Sequence, residues 1–174
     1  MSFLQRIFGR SDRRRALDPL YRAIVAAARD PSWYREGRVP DTVDGRFDMV
    51  AALTAMVLLR LEAEGEAGRE ASVLVAELFV EDMDASLRQI GIGDYVVGKH
   101  IGRLMGALGG RLGALRAARA PDGDFVAAAR RNIFHDAPPG EEALQSVAER
   151  LERFSRSLDA VPLAELLTGR VPAP

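Results

Sequence analysis

The chain has 174 residues, 24 basic against 25 acidic, two histidines and no cysteine. That length holds one compact domain, and an apolar fraction of 48% excludes a largely disordered chain. The absence of cysteine removes a disulfide framework, a thiolate metal site and a cysteine nucleophile. The near-balanced charge excludes a protein that coats nucleic acid along its whole surface, and no DNA partner is expected.

Charge is unevenly spread. Arg6, Arg10, Arg13, Arg14 and Arg15 face only Asp12 in the first fifteen residues, so a basic amphipathic arm over 1–16 precedes a mildly acidic body over 17–171. Phe3, Leu4, Ile7 and Phe8 stand at helical spacing beside Arg6 and Arg10. This pattern suits a short contact to an anionic membrane surface, or a terminus that packs its phenylalanines on the body. It is too poor in apolar residues for a secretory signal. Met49–Leu59, the longest uncharged apolar run, falls well short of the roughly 20 residues a bilayer core requires. No transmembrane segment is expected, and the chain should lie on the cytoplasmic side of any membrane it meets.

Asp18-Pro19 opens the first helix, with Asp18 as N-cap, and it runs to about Arg29. Residues 31–46 read as irregular and hold the only Trp. Asp44 is expected to cap a helix over 45–63 that is apolar all round and hence buried on all sides. A helix over 67–90 places Val75, Leu78, Phe79, Met83, Leu87 and Ile90 on one face, with Asp84 and Arg88 as an i,i+4 pair on the other. Asp82 falls inside the apolar stripe and needs a partner, for which Arg103 and His100 are the candidates.

Gly91-Ile92-Gly93 is a turn, and Asp94 caps a fifth helix over 95–119 with apolar positions Val97, Ile101, Leu104, Met105, Leu108, Leu112 and Leu115. Gly98, Gly102, Gly106 and Gly110 recur along it, joined by Gly109 and Gly113. Each interior glycine costs about 1 kcal/mol relative to alanine, which suggests that another backbone comes close. That backbone is a helix of this domain or of a client, unless the row is merely tolerated flexibility. Asp124 caps a short helix ending near Phe134. A helix over 141–157 carries Glu149 and Arg153 at pairing distance, and Pro162 and Gly169 bound a last one. The pattern predicts an all-α fold: a single compact multi-helix domain of about six to eight helices.

Catalytic motifs are missing. There is no P-loop, no G-x-S-x-G and no dinucleotide fingerprint, because no strand precedes the glycines. His100 and His135 form no ligand pair, and His135 reads as a surface cap. No cofactor, metal or haem site is expected, and a binding protein is favoured over an enzyme.

The string VPDTVDGRFD (39–48) resembles the ubiquinol–cytochrome c chaperone family, the assembly factors for cytochrome b of respiratory complex III. The resemblance continues in FDMVAALTAMVLLRLE (47–62), LFVEDMDASLRQIGIGDYVVGKHIGRL (78–104), DFVAAARRNIF (124–134) and LAELLTGRV (163–171). It departs at Leu108-Gly109-Gly110-Arg111 and Leu115, where the family carries aromatics, and at Ala52-Leu53-Thr54-Ala55-Met56, where it carries a His. A client groove lined by those aromatics would have another shape here.

The resemblance implies a non-enzymatic chaperone that binds newly made cytochrome b, working at the cytoplasmic face of the inner membrane. A membrane-surface adaptor with a different client is the alternative. The expected client or partner surface comprises Trp33, Tyr34, Val39, Pro40, Asp41 and Arg46 in one loop, and Asp82, Asp84, Arg88, Asp94, Lys99 and Arg103 around the acidic and basic helices. Phe3, Leu4, Arg6, Ile7, Phe8 and Arg10 would touch membrane or ribosome.

Overall fold

The computed structural model of the chain describes residues 12–89 and 97–174. Among the described residues a helical stretch over 12–16 leads into eight helices, and there is no strand. These are α1 (Asp18–Ala28), α2 (Pro31–Arg35), α3 (Val43–Ala63), α4 (Glu66–Gln89), α5 (Val97–Ala118), α6 (Phe125–Asn132), α7 (Glu141–Asp159) and α8 (Leu163–Leu167). The all-α expectation holds. Residues 1–11, the Gly91-Ile92-Gly93 turn and Asp94 lie outside the described residues.

α3 is the axis of the fold. Every residue from Asp48 to Leu61 is buried, as a helix with no polar face requires. α1, α4, α5 and α7 pack around it, α6 joins α7 to α5, and α8 returns to α1. Leu53, Met56 and Leu61 of α3 meet Ile24, Phe79, Leu151 and Phe154 in one continuous core. Arg60, buried at the far end of α3, donates to the carbonyls of Leu158 (3.2 Å) and Val161 (3.0 Å). It thereby satisfies the Val161 carbonyl and adds a second donor to the Leu158 carbonyl, which already accepts from the Val161 N–H (3.1 Å).

Local chemistry corrects several boundaries. The segment expected to be irregular opens with α2, because Asp30 caps it by accepting from the Ser32 backbone N–H (2.9 Å) and Pro31 stands at its start. Asp18 lies inside α1 rather than capping it: Leu17 is the N-cap, since the helical stretch over 12–16 delivers the chain almost in register. Thr42, not Asp44, caps α3, accepting from Gly45 N–H (3.1 Å). Asp124 caps α6 as expected, accepting from Ala127 N–H (2.9 Å). Gly169 ends α8 at φ +97°, a conformation that favours glycine.

Candidate client surface and the charged network beneath it

The VPDTVDGRFD string builds the start of α3. Val39 is buried, and a side chain on Gly45 would strike the Pro40 carbonyl, so the chain turns tightly into the helix. Arg46 donates to Asp41 (2.6 Å) and lies 5.7 Å from the centre of the Tyr34 ring, and its guanidinium holds the Asp41 carboxyl below the usual range. Tyr34 in turn donates to the Ala28 carbonyl (2.9 Å). Phe47 packs on Phe79 with ring centres 6.0 Å apart.

Asp48, the last residue of the string, is 3% exposed and accepts from two sides. Arg111 of α5 forms a buried ion pair with its Oδ1, and His135 Nε2 lies 2.7 Å from its Oδ2. Arg111 also donates to the carbonyls of Ala107 (3.1 Å) and Asn132 (3.3 Å). Burial pulls the Arg111 guanidinium below its ordinary value, and the Asp48 charge opposes that. One carboxylate therefore ties α3, α5 and the end of α6 together. His135 is a partner of this network rather than a simple surface cap, and it reaches Asp48 from a left-handed backbone, φ +49°.

The sequence reading missed Asp48 and Arg111, although a signal was present. Leu104, Leu108, Arg111 and Leu115 recur at helical steps, so Arg111 sits inside an apolar stripe as Asp82 does.

Trp33 and Val39 are core residues. Trp33 is 0% exposed, its indole donates to the Ala27 carbonyl (3.0 Å), and the buried Arg150 lies 4.4 Å above its ring. Arg150 also donates to Ser32, whose own donation to Asp30 holds that carboxyl below its ordinary value. Tyr34 is half-buried, which leaves Pro40, Asp41 and Arg46 as the solvent-facing members of the loop set.

The second set divides. Asp82 accepts from Tyr21 of α1 (2.9 Å), and of the two expected partners the described one, Arg103, does not pair with it. Burial and the Asp82 charge both push the Tyr21 phenol up. Asp84 pairs with Arg88 (2.8 Å) as expected, and two helical positions from Asp82 it turns to the other side of α4. Arg103 is exposed, and no described carboxylate pairs with it. Asp94, and the side chains of Lys99 and His100, lie outside the described residues. The Glu149–Arg153 pair does not form; Glu152 and Arg156 pair instead (3.3 Å).

The glycine row of α5 faces open space. A Cβ built on Gly102, Gly106, Gly109, Gly110 or Gly113 meets nothing within 4 Å, so among the described residues no helix packs on them. Met105, expected in the core, is 46% exposed on this face. Among the described residues no three His, Cys, Asp or Glu side chains converge as a metal site requires, and no helix is long and apolar enough to cross a membrane.

The fold is thus an all-helical bundle wound on one buried helix, locked by a buried carboxylate and open along one glycine-lined helix face. The chain belongs to the ubiquinol–cytochrome c chaperone family, whose model matches residues 35–173. It is similar to the crystal structure of the Cbp3 homolog from Brucella abortus, at 30% identity and a TM-score of 0.81, over 99% of this chain and 97% of that one. No curated protein matches it.

Proposed function

We propose that this protein is a non-enzymatic assembly chaperone that holds newly made cytochrome b on the way to the ubiquinol–cytochrome c reductase. The observation that carries this reading is the family match over residues 35–173, which spans α3 to α8 and includes the network around Asp48. The surface chemistry supports it. The solvent face of α5 presents Gly102, Gly106, Gly109 and Gly113 beside an exposed Met105, with Arg103 next to it. Glycines let another backbone approach closely, and methionine adapts to varied apolar shapes. Such a face suits an apolar client segment that must be released later. The work is then done at the membrane surface from the cytoplasmic side, and Pro40 with the charged Asp41, Arg46, Asp84 and Arg88 is proposed to flank the client.

The test is capture of tagged protein from growing cells in mild detergent. Cytochrome b is expected to be enriched over other abundant membrane proteins, and cells without the gene should lose assembled complex III. Normal complex III in those cells, with another membrane protein captured, would assign the fold to a different client.

A further inference from the structure

We infer that the outer face of α1 and of the helical stretch before it is a docking surface for an anionic phospholipid bilayer, read by Arg15, Arg22 and Arg29. Most described arginines of this protein are spent on carboxylates or carbonyls. Arg13 pairs with Glu70 (2.7 Å) and Arg14 with Glu81, so the helical stretch over 12–16 is fastened to α4 through those two side chains. Arg15, Arg22 and Arg29 are exposed, and none of the described carboxylates pairs with them.

They stand seven residues apart. Two turns of helix separate Arg22 from Arg29 by about 10.5 Å on one side of α1. The exposed positions between them are Ala16, Pro19 and Ala26, which carry no charge, and the half-buried Asp18 lies one turn before Arg22 on the same side. A row of unpaired cations on a rigid helix, with small apolar residues between, matches a plane of phosphate groups. It does not match a point ligand.

Two neighbouring features agree with that occupant. Arg22 and Arg29 rim a groove of about 470 Å³ between α1 and α4, walled by Val25 and Leu78. The carboxylates of that groove are already engaged, Asp82 by Tyr21 and Glu81 by Arg14. In the sequence this face is preceded directly by Phe3, Leu4, Ile7 and Phe8 with Arg6 and Arg10, the composition of a membrane-interface segment. The inference stands apart from the identity of the client, because the bilayer is bound by a different helix.

The experiment is flotation of the purified full chain with phosphatidylcholine vesicles, with and without phosphatidylglycerol, at low and high ionic strength. The full chain should float with the anionic vesicles alone and be released by salt. Arg22→Glu/Arg29→Glu should lower binding at least about tenfold with the helical circular-dichroism spectrum unchanged, since each basic residue near an anionic surface contributes on the order of 1 kcal/mol. Arg131→Glu/Arg153→Glu, which reverses two exposed arginines of α6 and α7, changes net charge equally and should bind within about twofold of the unaltered chain. Equal losses in the two variants would reduce the effect to net charge and overturn the inference. So would unchanged binding of Arg22→Glu/Arg29→Glu, or retention on single-stranded RNA without vesicle binding.

Discussion

α3 and α5 are nearly equal in length, 21 and 22 residues, and they pack against each other, yet they solve opposite problems. α3 has no polar face over Met49–Leu59 and is stable only because other helices surround it. α5 buries Leu104, Leu108 and Leu115 on one side and turns glycines and Met105 outward on the other. The first helix is used up by folding. The second leaves a face open, at a cost in helix stability that no contact among the described residues repays. The contrast singles out α5 as the element whose sequence is worse than its own packing requires, which is why its open face is the one proposed to hold a client.

The sharpest way to break this arrangement is at the bond between the two helices. Arg111→Met leaves Asp48 buried without its cation and should destabilise the fold by about 3–5 kcal/mol in chemical denaturation. Adding Asp48→Leu should recover at least half of that, because an apolar pair carries no desolvation penalty. Truncation within each helix comes next. Leu53→Ala in α3 should cost about 2–5 kcal/mol. Met105→Ala on the open face of α5 should change stability by less than about 0.5 kcal/mol, as exposed sites do.

Tyr21 sets a smaller, pH-dependent term. In the unfolded chain its phenol ionises near the ordinary value of 10.0, whereas in the fold burial and Asp82 hold the proton more tightly. The stabilisation is therefore complete below about pH 10 and is lost as the pH rises further. Phenolate absorbance of Tyr21 should appear only with alkaline unfolding, and Tyr21→Phe should remove that part of the pH dependence while costing about 1.5 kcal/mol near neutrality. One further effect carries the opposite sign. Gly106→Ala or Gly109→Ala should stabilise the protein by about 0.5–1 kcal/mol each, because the new methyl group meets open space. If the face holds the client, the same substitutions should lower cytochrome b capture, separating stability from function.

Much of the fold was legible along the chain. The long helices were found from 3.6-residue periodicity, and the Asp124 cap from its side chain beside an apolar run. α2 was not, although Asp30-Pro31 repeats the Asp18-Pro19 signal, because a five-residue helix has too few positions to show a period. The candidate site was less legible. The most recognisable string, VPDTVDGRFD, attracted a surface reading for Val39, and the neighbouring Trp33 shared it. In the structure Val39 helps build the entry to α3 and donates its N–H to the Trp33 carbonyl (3.1 Å), and both side chains are buried. A diagnostic sequence block and an accessible surface are different things, since the demands of a tight, capped helix entry also constrain residues.

By itself the sequence determined the helix content, the burial of α3 and the presence of charged residues inside apolar stripes. These are properties of spacing within one segment, which the 3.6-residue period alone imposes. Only the tertiary structure decided who answers those charges: Tyr21 for Asp82, and for Arg111 the carboxylate of Asp48, which His135 also meets. It alone decided that the glycine row of α5 faces outward and that three arginines of the first helical region stay unpaired while their neighbours do not. Partners 63 and 87 residues apart meet only when helices pack, and no local pattern specifies which face a neighbouring helix will cover.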